Sequence, residues 1–366
     1  MPLVADPRPL HSRRHAHGLL ALVAVFLLVP GPAAADRGLK LAIGDVGIGI
    51  GDVRRLDGLR LNYRDGELER VRGLNATLWA PHDETNGLVQ GIALGIPVTG
   101  AGHVQGLSLG LGVGAVHDLS GISLAPIGLG AGEDIGGIAV GGLGLGAGSD
   151  LRGIAVGGLG AGCGQDATGI VVGGLGVGAG ERLRGIAIGG LGAGAGSSME
   201  GLAAGIFGVG AGSALRGIAI GGVGVGAGTE VRGLAIGGLG VGAGTDLIGL
   251  AIGGLGAGAG RDLRGLAIGG LAVGAPNVTG AIAGLVAGAE DVTGLVIAPA
   301  YYKIETGGAT RGLSLSAFNR VKGSQRGIAL GLLNIAGELH GLQVGVLNIA
   351  HNKKSLSVLP LLNYAK

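Results

Sequence analysis

Apolar residues in this chain recur in short alternating groups separated by glycine, and the whole pattern returns every sixteen residues. In the unit that opens at Gly217 the apolar places are Ile218, Ile220, Val223, Val225, Ala227 and Val231. The unit opening at Gly249 has Leu250, Ile252, Leu255, Ala257, Ala259 and Leu263 in the same places. Alternation within Ile218/Ile220 and within Val223/Val225/Ala227 is strand periodicity, in which every second side chain faces one side. The phase slips by one residue at Gly221-Gly222 and again between Val231 and Gly233. In a continuous strand a slip turns side chains to the wrong face. At a corner it keeps them inward, and glycine permits the bend. This register predicts an interior of Ile, Leu and Val and an outer surface of Gly222, Gly224, Gly226 and Gly228 on one strand. On the other strand it predicts outward Ala219, Ala235, Ala251 and Ala267. Polar side chains are confined to one edge, as in Thr229, Glu230 and Arg232 or Arg261, Asp262 and Arg264.

The opening glycines run Gly121, Gly137, Gly153 and onward to Gly265 in nine consecutive intervals of sixteen. Looser spacing of 14–18 continues upstream through Gly58, Gly73, Gly91 and Gly106, and downstream through Gly280, Gly294, Gly312, Gly327 and Gly341. Short strands, glycine corners and a fixed period predict an all-β, single-chain β-solenoid of about eighteen coils, one per unit. Helical repeats are excluded because glycine costs about 1 kcal/mol per helix position. Coils stacked at about 4.8 Å would make a rod of roughly 80–90 Å. The alternative is a transmembrane β-barrel with one tilted strand per unit; missing aromatic girdles and the phase slip at each Gly-Gly argue against it.

Composition narrows the class. Glycine supplies 88 of 366 residues with only 11 prolines, and no glycine-every-third pattern appears, which excludes collagen. Hydrophobic residues make up 47%, too many for a disordered linker. The net charge of +2 is spread along the chain without a basic tract, so a nucleic-acid partner is not expected. Residues 1–35 read as a signal peptide: Arg13 and Arg14, the apolar run Leu19–Val29, the break at Pro30-Gly31-Pro32 and a cleavage site at Ala33-Ala34-Ala35. The mature chain then divides into 36–90, irregular repeats and an N-terminal cap; 91–293, the glycine-rich array; and 294–366, C-terminal repeats and cap. No later stretch is long and apolar enough for a transmembrane helix.

The C-terminal part carries the pattern GhxhGhhNhA, with h apolar, as GIALGLLNIA from Gly327 and GLQVGVLNIA from Gly341, closing on Leu362-Asn363-Tyr364-Ala365. It resembles the bacterial surface-repeat proteins first recognised in spirochaetes, closely over 312–366 and in diluted form through the array, where glycine replaces the asparagine. The resemblance implies a secreted or outer-surface location and brings no catalytic residues. Asn334 and Asn348 hold equivalent places and are expected to stack as an amide ladder.

Candidate chemistry is sparse. The string GGLGAGAGRDL resembles calcium-binding nonapeptide repeats, and acids recur at one register position as Asp134, Asp150, Asp166, Glu230, Asp246 and Asp262. Three intervening units carry Arg182, Ser198 and Ala214 there, and the period does not match, so a solvated charged edge is the expectation. Cys163, the only cysteine, stands where other units have Ala147 and Ala195, which marks a small core residue. His82 beside Asp83 and Glu84 reads as a polar loop, Trp79 as a closure of the N-terminal end, and the long unit holding Tyr301 and Tyr302 as a bulged, accessible loop. The sequence therefore predicts an exported, non-catalytic structural or interaction protein with no cofactor, metal or catalytic residue. It would present flat Gly/Ala faces and one charged edge to a surface or envelope partner or to copies of itself, in the periplasm, at the outer surface or outside the cell.

Overall fold

The computed structural model describes residues 38–80 and 86–366. The expected signal peptide, 1–35, and the His82-Asp83-Glu84 segment lie outside the described residues. Among the described residues every regular element is a strand. Strands sixteen residues apart pair in parallel: Ala214–Gly221 lies on Glu230–Gly237 with Gly217 opposite Gly233, and Gly224–Ala227 lies on Gly240–Ala243. This is the expected solenoid of about eighteen coils and not a barrel, whose neighbouring strands would meander antiparallel. Only the ends depart from parallel pairing. Leu39–Ile43 folds back on Val46–Ile50, and Val358–Ala365 returns antiparallel along the last coil.

Counting positions in a coil from its opening glycine, each central coil has a long strand from position 14 or 15 to position 5 of the next unit. A short strand runs from position 8 to position 11. Two bends, at positions 6–7 and 12–13, join them, as at Gly238-Leu239 and Gly244-Thr245. The bends also hydrogen-bond coil to coil, with Leu239 N–H donating to the Val223 carbonyl at 2.6 Å and Thr245 N–H to the Thr229 carbonyl at 2.8 Å. Buried backbone polar groups are thereby satisfied along the whole stack.

The opening glycine is a third corner of another kind. All nineteen opening glycines from Gly58 to Gly341 have φ between +100° and +152°. A Cβ at Gly217 would lie 2.1 Å from the carbonyl oxygen of Gly201 one coil back, and the same collision recurs at Gly233 with Gly217. The chain bends here without changing phase. Leu215 points in, Arg216 out, Ile218 out, Ala219 in and Ile220 out.

The expected register is therefore corrected on the long strand. Ala219 is 0% exposed, whereas Ile218 and Ile220 are 40% and 44% exposed, and Val223 at the next bend is also outside. Val225 and Val231 are buried as expected, and Ala227 packs against the core. The physical reason is the width of the interior. A Cβ at Gly221 would lie 2.1 Å from the Gly224 carbonyl oxygen across the bend, so position 5 is Gly or Ala in the central coils; position 3 beside it is Ala in most of them, with Ser123 and Val171 the exceptions. The larger buried side chains sit at positions 9 and 15, as Val225 and Leu247. Neither expected phase slip exists: Ala219, Gly221, Val225, Ala227, Val231 and Ala235 all point inward at even spacing, and Val223 and Thr229 turn outward only because the chain bends there.

Expected outcome: Gly217→Ala forces a non-glycine residue into a glycine-only backbone region and against a carbonyl, and should lower stability by more than about 3 kcal/mol. Gly226→Ala, whose Cβ would meet nothing closer than 3.7 Å, should cost under about 1 kcal/mol. Urea unfolding monitored by circular dichroism separates the two, and equal midpoints would refute the account of the opening glycine.

Candidate functional site: an outward apolar face flanked by a charged side

The correction places a continuous apolar face on the surface. From the coil at Gly121 to that at Gly265, positions 2, 4 and 7 supply three rows of ten residues without one polar side chain. Position 2 runs from Ile122 to Leu266, position 4 from Leu124 to Ile268, and position 7 from Ile127 to Leu271. Positions 2 and 4 share one side of the long strand because they are two residues apart. Position 7 lines the adjoining bend, and all ten of its residues are 40–58% exposed. Each row repeats coil upon coil, so identical side chains stack at the strand spacing of about 4.8 Å. The expected flat Gly/Ala exterior exists only on the short strand, where Gly224 and Gly226 face out; the alanines of the long strand are core.

The charged side lies beyond the opening glycine, at positions 13, 14 and 16. Its ions pair with one another. Arg152 meets Asp134 at 3.3 Å and also contacts Asp150; Arg216 meets Glu230 at 3.3 Å; Arg232 meets Glu230 at 2.7 Å; Arg264 meets Asp262 at 2.8 Å. Hydrogen bonds from the Arg182 guanidinium hold the Asp166 carboxyl below its ordinary range, and the Asn277 amide does the same for Asp262. These groups are solvated, so each pair contributes little to stability.

The recurring acids also have a backbone task. The carboxylate of Asp134 accepts the Asp150 N–H at 3.1 Å, and that of Asp150 accepts the Asp166 N–H at 3.1 Å. In later coils the same N–H donates to a backbone carbonyl instead, with or without a preceding aspartate, as Ser198 does to Glu181 at 3.2 Å and Asp262 to Thr245 at 3.2 Å. Asp134 and Asp150 thus complete the coil-to-coil hydrogen bonding at their bends. Among the described residues no group of three or more His, Cys, Asp or Glu is placed to hold a metal ion. His103 and His117 stack at 4.8 Å, each with Nδ1 beside a carboxylate of the next coil, Asp118 and Glu133; the spacing of the sequence gave no sign of this pair.

Both ends of the core are polar. At the N-terminal end Arg60 is fully buried at position 3, ion-paired with Asp52 at 2.7 Å and with Asp65. Asp65 further accepts hydrogen bonds from Asn62 at 2.8 Å, Asn75 at 3.0 Å and Thr77 at 3.0 Å. Sequence reasoning missed this cluster, although Arg60 and Asn75 stand in the inward place held elsewhere by alanine or serine. Trp79 stacks on Tyr63 at 6.4 Å close by. At the C-terminal end the amide ladder is present: Asn319 Nδ2 donates to Asn334 Oδ1 and Asn334 Nδ2 to Asn348 Oδ1, both at 2.7 Å. These asparagines point inward themselves, while Leu333 and Ile335 beside Asn334 are half-exposed.

The long unit does bulge, but at the residues between Ile304 and Ala309. Tyr302 is not accessible; it is buried with its hydroxyl 2.5 Å from Thr310 Oγ1, and burial raises its pKa. Cys163 packs half-buried against the core in register with Ala147 and Ala179, and burial pushes its thiol up to about 11. Comparison with family models, with curated proteins and with solved structures gives no match.

Two outcomes follow for these groups. Asp65→Ala strands Arg60 with one carboxylate in the core and should cost about 3–5 kcal/mol. In a solenoid that loss stays local: amide exchange should accelerate in 55–77 and remain unchanged beyond Gly121, and uniform acceleration would contradict a local cluster. For Cys163 the raised pKa means the thiol stays protonated at pH 8. Alkylation in the folded protein should be roughly 100-fold slower than in urea and climb with pH toward 11; equal rates would show that the thiol is not shielded.

Proposed function

We propose that this chain is an exported, non-catalytic structural protein whose working surface is the outward Ile/Leu/Val face of the rod. The observation that carries the reading is the unbroken apolar character of positions 2, 4 and 7 over ten coils. The fold needs glycine at the corners and small residues inside, but nothing in coil packing requires isoleucine or leucine on the outside. Soluble proteins rarely leave contiguous apolar surface beyond a few hundred Å² without a partner for it. The leader-like residues 1–35 and the resemblance of 312–366 to bacterial surface repeats support export to the envelope or beyond. No helix among the described residues is long and apolar enough to cross a membrane. The charges of the neighbouring side are paired with one another, which supports a role in contact and not in chemistry.

The triple variant Ile154→Lys, Ile186→Lys, Ile218→Lys changes only outward side chains. It should keep the urea midpoint within about 1 kcal/mol of the parent and elute much earlier from a phenyl-substituted resin. If retention is unchanged, or if the variant unfolds, the outward face is not the adhesive surface described.

A further inference from the structure

We infer that the apolar face is covered by the same face of a second copy of this chain, giving a closed, face-to-face pair of rods. This rests on the reading of that face as a contact surface and adds the identity of the partner. Nine coil spacings of about 4.8 Å give the face a length of roughly 43 Å, and the five residues from position 2 to position 7 give a contour width of about 16 Å. The footprint is then about 700 Å² per copy, or about 1,400 Å² for two, which is the size of a standard stable interface.

Three further features select a second copy over a lipid surface. A periodic partner must match rows that recur every coil from Ile122 to Leu271, and another copy carries the same rows at the same spacing, so ridges of one can seat between ridges of the other. The arginines nearest the face, such as Arg152, Arg216, Arg232 and Arg264, are engaged by carboxylates of their own rod, which leaves them neutralised as a polar rim and not free for anionic headgroups. Phe207 is the one aromatic residue between Gly121 and Leu271, whereas lipid-facing surfaces place aromatic rings at the interface.

The contact closes on two copies. The glycine side and the charged side of the central coils carry no comparable apolar rows, so once the two faces meet no second adhesive surface remains along these coils; the apolar residues exposed at the rod ends, such as Ile43 and Leu361, lie outside the face. A self-complementary patch used by both partners is the arrangement of a two-fold dimer.

The test uses the full-length protein at about 10 μM in aqueous buffer, with sedimentation to give mass and oxidative cross-linking to locate the contact. The parent should sediment as a dimer, and Leu191→Glu with Phe207→Glu should weaken association at least a hundredfold. In a Cys163→Ala background, Ile188→Cys near the middle of the face should cross-link to its counterpart, and Gly226→Cys on the glycine side should not. A monomeric parent that still binds the phenyl resin would overturn the pairing while leaving the contact surface standing. A monomeric parent that floats with phosphatidylcholine vesicles would assign the face to lipid instead. Loss of both resin binding and dimer would sink the reading of the surface itself.

Discussion

The structure depends on one close approach: the opening glycine of each coil lies against the carbonyl of the glycine before it. A methyl group at Gly233 would come within 2.1 Å of the Gly217 carbonyl oxygen, and φ there is +120°. Both facts exclude any side chain, and both are repeated from one end of the rod to the other. The bend they permit falls in the middle of the long strand and leaves its in–out alternation intact. Because the phase carries through, Leu215 and Ala219 enter the core together while Arg216 and Ile218 leave it. The division of the surface into a charged side and an apolar face, meeting along the glycine column, is a direct consequence.

The period, the bend at the Gly-Gly pair and the number of coils were legible because the opening glycine is obligatory and keeps its spacing, whereas the bend at Gly228-Thr229 was not read. The faces were less legible. Hydrophobicity by itself assigns Ile218 and Ile220 to the interior, but the interior at Gly221 is too narrow for them. Arg216 held the better signal: if an arginine points out at position 16, unbroken alternation through the glycine sends Ile218 out as well. Reading the glycine as a phase break discarded that clue. The buried ends were hidden for a related reason. Arg60, Asn75 and Gln343 are inward only by register, and the inverted register made them look like surface residues. Asn334 and Asn348 were recognisable because an amide recurring in register can bond its neighbour, a relation that does not depend on which face is inside.

The polar groups share a common logic with these ends. Within the central coils the core is almost wholly Gly, Ala, Val and Leu, and inside it the hydrogen bonds between coils are made by backbone. At the two termini the stack loses a neighbour, and buried side chains supply the bonding: Arg60 with Asp65 at one end, the asparagine column and the Gln325–Gln343 pair, 2.9 Å apart, at the other. The antiparallel strands Leu39–Ile43 and Val358–Ala365 then occupy the open edges. In this respect the rod follows other repeat architectures, whose ends need different residues from their middle.

Narrowness also settles why the outside is the informative surface. A core that takes alanine and glycine stabilises each coil modestly, and the balance of apolar side chains must lie outside. About half of any protein surface is apolar, so scattered exposed leucines carry no message. Three contiguous rows over ten coils are different, because threonine or lysine would satisfy the same strand geometry at any of those thirty places and occurs at none of them. The charged side shows that the fold accepts such residues: position 16 alternates among Arg152, Thr168, Arg184, Glu200 and Arg216 in consecutive coils. Strand geometry alone does not select apolar residues at positions 2, 4 and 7; a covering partner, as proposed above, would. A surface kept free of charge along its length and bordered by self-neutralised arginines has the composition of an interface core with its rim.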